Sequence, residues 1–85
     1  MKDSVQIEIY SRPTCHLCDE AKSVIERVQR RYGFAIRVIN IEDDPELEKA
    51  YGTEIPVVFI NGTKAFKYHV QEAELEKKVK RLWKK

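Results

Sequence analysis

The chain has 85 residues, 42% of them hydrophobic and 35% charged, with three Gly and three Pro. That is enough for one domain, residues 1–85, with a modest core, and it excludes a disordered, collagen-like or low-complexity chain. Sixteen basic against 14 acidic residues leave a net charge of +2, which points to no nucleic-acid or membrane partner.

No apolar run approaches the roughly 18–20 residues of a membrane span. Met1-Lys2-Asp3-Ser4 leads into an alternating segment and not into a signal-peptide apolar stretch, so a cytoplasmic location is expected. Val5 to Tyr10 alternates apolar and polar residues, which predicts a strand with Val5, Ile7 and Ile9 on one face. Ser11-Arg12-Pro13-Thr14 breaks that pattern. From His16 to Tyr32, Leu17, Ala21, Val24, Ile25 and Val28 recur at helical spacing while Glu20, Arg27, Arg30 and Arg31 are left for water, and Gly33 ends the helix.

Phe34 to Ile41 reads as a second strand. A strand, a helix and a strand in so short a span make a βαβ unit, whose strands run parallel. Glu42-Asp43-Asp44-Pro45 opens a short helix through Tyr51, with acids at its positive end, and Gly52 stops it. Val57 to Ile60 is a strand, Asn61-Gly62 a hairpin turn, and Thr63 to His69 the return strand. Gln71 to Trp83 closes as a helix with Leu75, Val79, Leu82 and Trp83 on one face. Lys77, Lys78, Lys80, Arg81, Lys84 and Lys85 crowd its negative end; without interleaved aromatic residues they do not read as a nucleic-acid patch. The expected fold is α/β, in the order β-α-β-α-β-β-α, with a four-stranded mixed sheet and helices on both faces.

The chemistry concentrates at Cys15-His16-Leu17-Cys18, which holds both cysteines of the chain and sits between the first strand and the first helix. A Cys-x-x-Cys at such a junction reads as a redox motif. Unpaired N–H groups and the positive dipole end of a helix N-terminus favour a thiolate at the cap position, Cys15. Cys18, one turn on, is next to the apolar stripe, and the spacing brings the two sulfurs within disulfide range. Cys15 is therefore expected to attack a substrate disulfide and Cys18 to resolve the mixed disulfide. His16, if protonated, and Arg12 add positive potential, or else are solvated surface residues; Asp19 and Glu20 act against the thiolate. A structural zinc site needs four ligands and would take both Cys and both His, but His69 falls on the far hairpin strand with no ligand-like spacing, and Asp19 stands where haem attachment needs His, so no metal is expected. Pro56 begins a strand; a cis bond there would turn the backbone N–H and C=O of Ile55 towards an incoming peptide, and a trans bond is the alternative.

On Tyr10 to Cys18, on Ile55-Pro56-Val57-Val58-Phe59-Ile60 and on Asn61-Gly62, the chain resembles the glutaredoxins of the thioredoxin-fold superfamily over nearly its whole length. The run Cys-His-Leu-Cys-Asp-Glu-Ala is most like the short glutaredoxin-like proteins. The resemblance implies a thioredoxin-like fold, Cys15 as nucleophile, Cys18 as resolving thiol, and a cis Pro56 facing Cys15. It also implies that Ile55 holds the cysteinyl backbone of glutathione and that Arg12 meets one of its carboxylates.

Departures from the family pattern fall on the glutathione contacts. His16-Leu17 replaces Pro-Tyr, Glu54 replaces a Thr, and Phe66-Lys67-Tyr68-His69-Val70 stands where Gly-Gly-x-Asp is usual. The expected function is a monomeric thiol–disulfide oxidoreductase that reduces protein or small-molecule disulfides and holds no cofactor tightly. Glutathione or a thioredoxin-reductase-type flavoprotein would be its donor. The alternatives are a non-catalytic thioredoxin-fold module that binds a partner at the Pro56 edge, and an iron–sulfur cluster carrier with glutathione.

Overall fold

Three alternating apolar residues on the first strand decide where the core lies. In the computed structural model, which describes residues 5–83, Val5, Ile7 and Ile9 are at most 1% exposed. Ile7 and Ile9 on strand β1 (Gln6–Ser11), with Val5 just before it, face helix α1 (His16–Tyr32), whose Ala21, Ile25 and Val28 return the contact. Helix α3 (Glu72–Leu82) adds Leu75 and Val79 to the same layer, and Phe34, Val58, Ile60 and Val70 complete it.

β1 lies inside the sheet. It pairs in parallel with β2 (Ala35–Asn40), from Gln6↔Ala35 to Ser11↔Asn40, and antiparallel with β3 (Val57–Ile60). β4 (Thr63–Lys67) then pairs antiparallel with β3, giving the order β2-β1-β3-β4. The hairpin turn works through its two residues: Asn61 (φ 50°) and Gly62 (φ 85°) both take the left-handed region that such a turn requires. The Asn61 side chain also accepts a 2.8 Å hydrogen bond from the Gln6 N–H.

The opposite face of the sheet is covered by α2 (Pro45–Tyr51). Tyr51 at its end meets Tyr10 and Phe59, with ring centroids 5.0 and 6.0 Å away, and Tyr10 and Phe59 are 5.3 Å apart. Burial there raises the Tyr10 pKa above the ordinary 10.0, with Glu8 and Tyr51 adding to the effect. α2 itself buries no side chain completely.

Several boundaries and one burial differ from the sequence reading. The acidic stretch before Pro45 is a separate 3-10 turn, Ile41–Asp43, after which Asp44 caps α2 through the Glu46 N–H. β2 stops at Asn40 because Asn40 caps that 3-10 turn. β4 stops at Lys67, two residues early, because the Tyr68 N–H bonds to Pro56 O and the His69 N–H turns back to Lys67 O. Leu82 is 38% exposed instead of buried; at the end of α3 it is Trp83 that packs, edge-on against Tyr32. Lys84 and Lys85, and Met1 to Ser4, lie outside the described residues. No helix among the described residues is long and apolar enough to cross a membrane.

Candidate active site

The C-terminal end of β1 and the N-terminal end of β3 lie side by side, because Tyr10 pairs with Val57. The chain leaving β1 therefore passes Pro56 before it enters α1. It makes a turn closed by a 3.2 Å bond from the Cys15 N–H to Arg12 O, and it delivers Cys15 to the N-cap of α1 in extended conformation (φ −90°, ψ 116°).

At the cap the Cys15 sulfur accepts the Cys18 N–H at 3.2 Å. This is the bond a Ser or Asp oxygen makes at a helix start, here made by sulfur. The two cysteines are disulfide-bonded, with Cα atoms 5.2 Å apart. Their environments differ. Cys15 is half-buried, whereas Cys18 is 4% exposed against the apolar stripe of α1. Cys15 is thus the more accessible residue of the pair and Cys18 is shielded.

Ile55 is half-buried next to Pro56, whose side chain is fully buried, and the peptide bond between them is cis. His16 projects into solvent, with Nε2 3.6 Å from Glu20 one turn along. Arg12 is turned the other way. Its guanidinium pairs with Glu48, donates to Gly52 O at 3.3 Å and lies 3.9 Å from Glu42, so it fastens the end of α2 to the start of the cysteine loop. A Cβ on Gly52 would come within 2.5 Å of Glu48 O and 3.1 Å of Arg12 Nη2, so only glycine leaves room for this contact. A surface cavity of about 400 Å³, lined in part by Ile60, Asn61, Lys78 and Leu82, opens at the far end of β3 and is no part of this site.

The glutaredoxin-like domain family (DUF836) matches residues 6–80, a span that holds both the cysteine pair and Pro56. The chain belongs to this family. The glutaredoxin-like chain is also 35% identical over 65 residues to a thioredoxin of Methanocaldococcus jannaschii, covering 73% of this chain and 76% of that one. A probable thioredoxin of Methanothermobacter marburgensis gives the same figures. Among solved structures, a structural-genomics target protein from X. campestris superposes with a TM-score of 0.75 at 27% identity, covering 88% of this chain and 96% of that one. Thioredoxin-2 of a malaria parasite shares the fold, with a TM-score of 0.71 at 18% identity over 95% of this chain and 85% of that one. Family, fold and a Cys-x-x-Cys pair at disulfide distance give this glutaredoxin-like chain a thiol–disulfide redox role.

Three residues at the site were not singled out for it by the sequence. Glu48 and Gly52 meet Arg12 across 36 and 40 positions, a pairing set only by where α2 docks. Tyr68, singled out in the sequence only as part of a departure from the family pattern, closes over the loop before Pro56 in a left-handed conformation (φ 70°).

Proposed function

We propose that this chain is a cytoplasmic oxidoreductase that reduces disulfides through a Cys15–Cys18 dithiol/disulfide cycle. The observation that carries the reading is the asymmetry of the pair: a half-buried sulfur at the helix cap, receiving a backbone N–H, and a shielded sulfur one turn behind it. The N–H and the helix dipole favour negative charge on the Cys15 sulfur. The Cys15 thiolate attacks one sulfur of the substrate disulfide, forming a mixed disulfide and expelling the other sulfur as a thiolate. The Cys18 sulfur, deprotonated, then attacks the Cys15 sulfur, forming the intramolecular disulfide and releasing the second substrate thiolate. Two electrons have moved to the substrate, which leaves as two thiols once protonated. A reductant returns both to the protein and reopens the pair.

Arg12 bears on the choice of reductant. A glutathione carboxylate would have to compete with Glu48 and Glu42 for its guanidinium, which favours a thioredoxin-reductase-type flavoprotein as donor.

The test combines alkylation and trapping. In the reduced protein Cys15 alkylates faster than Cys18 and keeps reacting well below the pH at which an ordinary thiol ionises, about 8.5. Cys18→Ser accumulates a mixed disulfide with substrate at Cys15, and Cys15→Ser accumulates none. Two thiols alkylating alike, or equal trapping by both variants, would overturn the assignment.

A further inference from the structure

Pro56 and Tyr68 stand in a row with the chain that leads to Cys15. Tyr10 pairs with Val57 and Val57 with Lys67, so the next residues outward on the three strands are Ser11, Pro56 and Tyr68, all at one end of the sheet. Tyr68 is fixed there by two hydrogen bonds: its N–H reaches Pro56 O at 2.9 Å, and its hydroxyl reaches Thr53 O at 3.2 Å. The loop it crosses is also tied by the Glu54 N–H to Tyr51 O and by the Lys64–Glu54 ion pair at 3.1 Å.

Two features of Tyr68 run against packing economy. Its φ of 70° lies in a region that bulky side chains adopt only when the surroundings impose it. The residue is nevertheless 40% exposed, with Lys67 Nζ 5.7 Å from its ring centroid. A large aromatic residue held in a conformation that glycine would take more easily, and left half in water, is placed for contact with something outside the chain.

We propose that Tyr68 is a substrate-contacting residue of the redox site, standing beyond Pro56 at the same end of the sheet and selecting polypeptide disulfides over low-molecular-weight ones. This rests on the dithiol reading above and specifies its substrate. Tyr68 stands two strand spacings from β1, roughly 10 Å. A polypeptide flanking the scissile disulfide spans that distance and lies against the ring; a two-carbon arm ends before it.

The experiment compares a peptide disulfide, two short chains joined by one bridge, with hydroxyethyl disulfide, using dithiothreitol as reductant. Tyr68→Gly removes the ring and relieves the backbone, so the variant folds. It lowers the ratio of kcat/KM for peptide over hydroxyethyl disulfide by about five- to tenfold, through KM, as expected for an aromatic contact at an interface. Tyr68→Phe keeps the ring, loses the Thr53 bond, and restores the ratio. A Tyr68→Gly ratio equal to that of the wild type overturns the proposal, and so does a Tyr68→Phe ratio as low as that of Tyr68→Gly, which would make the residue a hydroxyl clamp for the loop. A wild-type protein that turns over neither disulfide overturns the dithiol reading and the proposal with it.

Discussion

Cys15 caps a helix and is the proposed nucleophile with the same sulfur. The acceptor that holds the Cys18 N–H is the atom that would attack, and this makes the two roles separable by substitution. Serine keeps a cap acceptor and alanine does not. In the reduced protein, Cys15→Ala is expected to be less stable than Cys15→Ser by about 1 kcal/mol, read from urea unfolding midpoints, while both lose turnover. Equal stability of the two variants would mean that the cap bond contributes nothing. The cap position was legible because a thiol residue directly preceded a run of helical periodicity. The orientation of Arg12 was not: three residues before Cys15 it reads as a cation for the substrate, and only the docking of α2 gives it to Glu48 and Gly52.

Among the elements, those governed by their own periodicity matched closely. α1 runs His16–Tyr32 and ends at Gly33 (φ 74°), whose N–H closes on Gln29 O, and β3 spans the four branched and aromatic residues Val57–Ile60. Elements that end through a distant contact did not match as well. β4 stops where Tyr68 turns to Pro56, a bond between residues just beyond the ends of two strands that no local pattern announces. The end of α2 fell at Tyr51 before Gly52 as expected, though it is set by close approach. Gly52 has ordinary helical φ and ψ, so its requirement is for space and not for conformation. Gly52→Ala forces a methyl group against Glu48 O and Arg12, and overpacking of this kind costs roughly 1–3 kcal/mol. A thermal midpoint unchanged by the substitution would show that α2 can move aside freely.

At the scale of the whole molecule, one apolar layer between sheet and helices is locked at its outer surface by charge. Glu72 on α3 takes Arg31 and Arg27 of α1, the latter at 3.1 Å, and Arg31 also meets Glu76 at 2.5 Å. Hydrogen bonds from Arg31, then Arg27, hold the Glu72 carboxyl below its usual 4.5. A depressed carboxyl contributes stability above its unfolded pKa and loses it as pH falls through the lower folded value. Wild type and Glu72→Gln are therefore expected to differ in unfolding midpoint at neutral pH and to converge in acid; a constant difference across that range would count against the ion pairs. The chain's charged residues were visible as a solvated face, but their partners across 41 to 45 positions were not. The same holds for the strand order: the βαβ unit and the hairpin were legible separately, whereas the join of β1 to β3 that brings Pro56 beside the cysteine loop is a tertiary fact.

α2 fastens to the rest mainly through Tyr51 and through the Arg12 contacts with Glu48 and Gly52, and it seals no side chain away from water. Detaching it breaks these contacts and opens the Tyr10–Tyr51–Phe59 cluster but leaves the apolar layer between the sheet, α1 and α3 in place, so its opening lies below the joint melting of that layer. Arg12 holds α2 with its side chain and closes the turn before Cys15 with its backbone carbonyl, so each such excursion frees the side chain of a residue in the turn that presents Cys15. The redox loop is thus tied to an element that can open while the layer beneath α1 and α3 stays closed, which lets it yield to a bulky partner without disturbing the core.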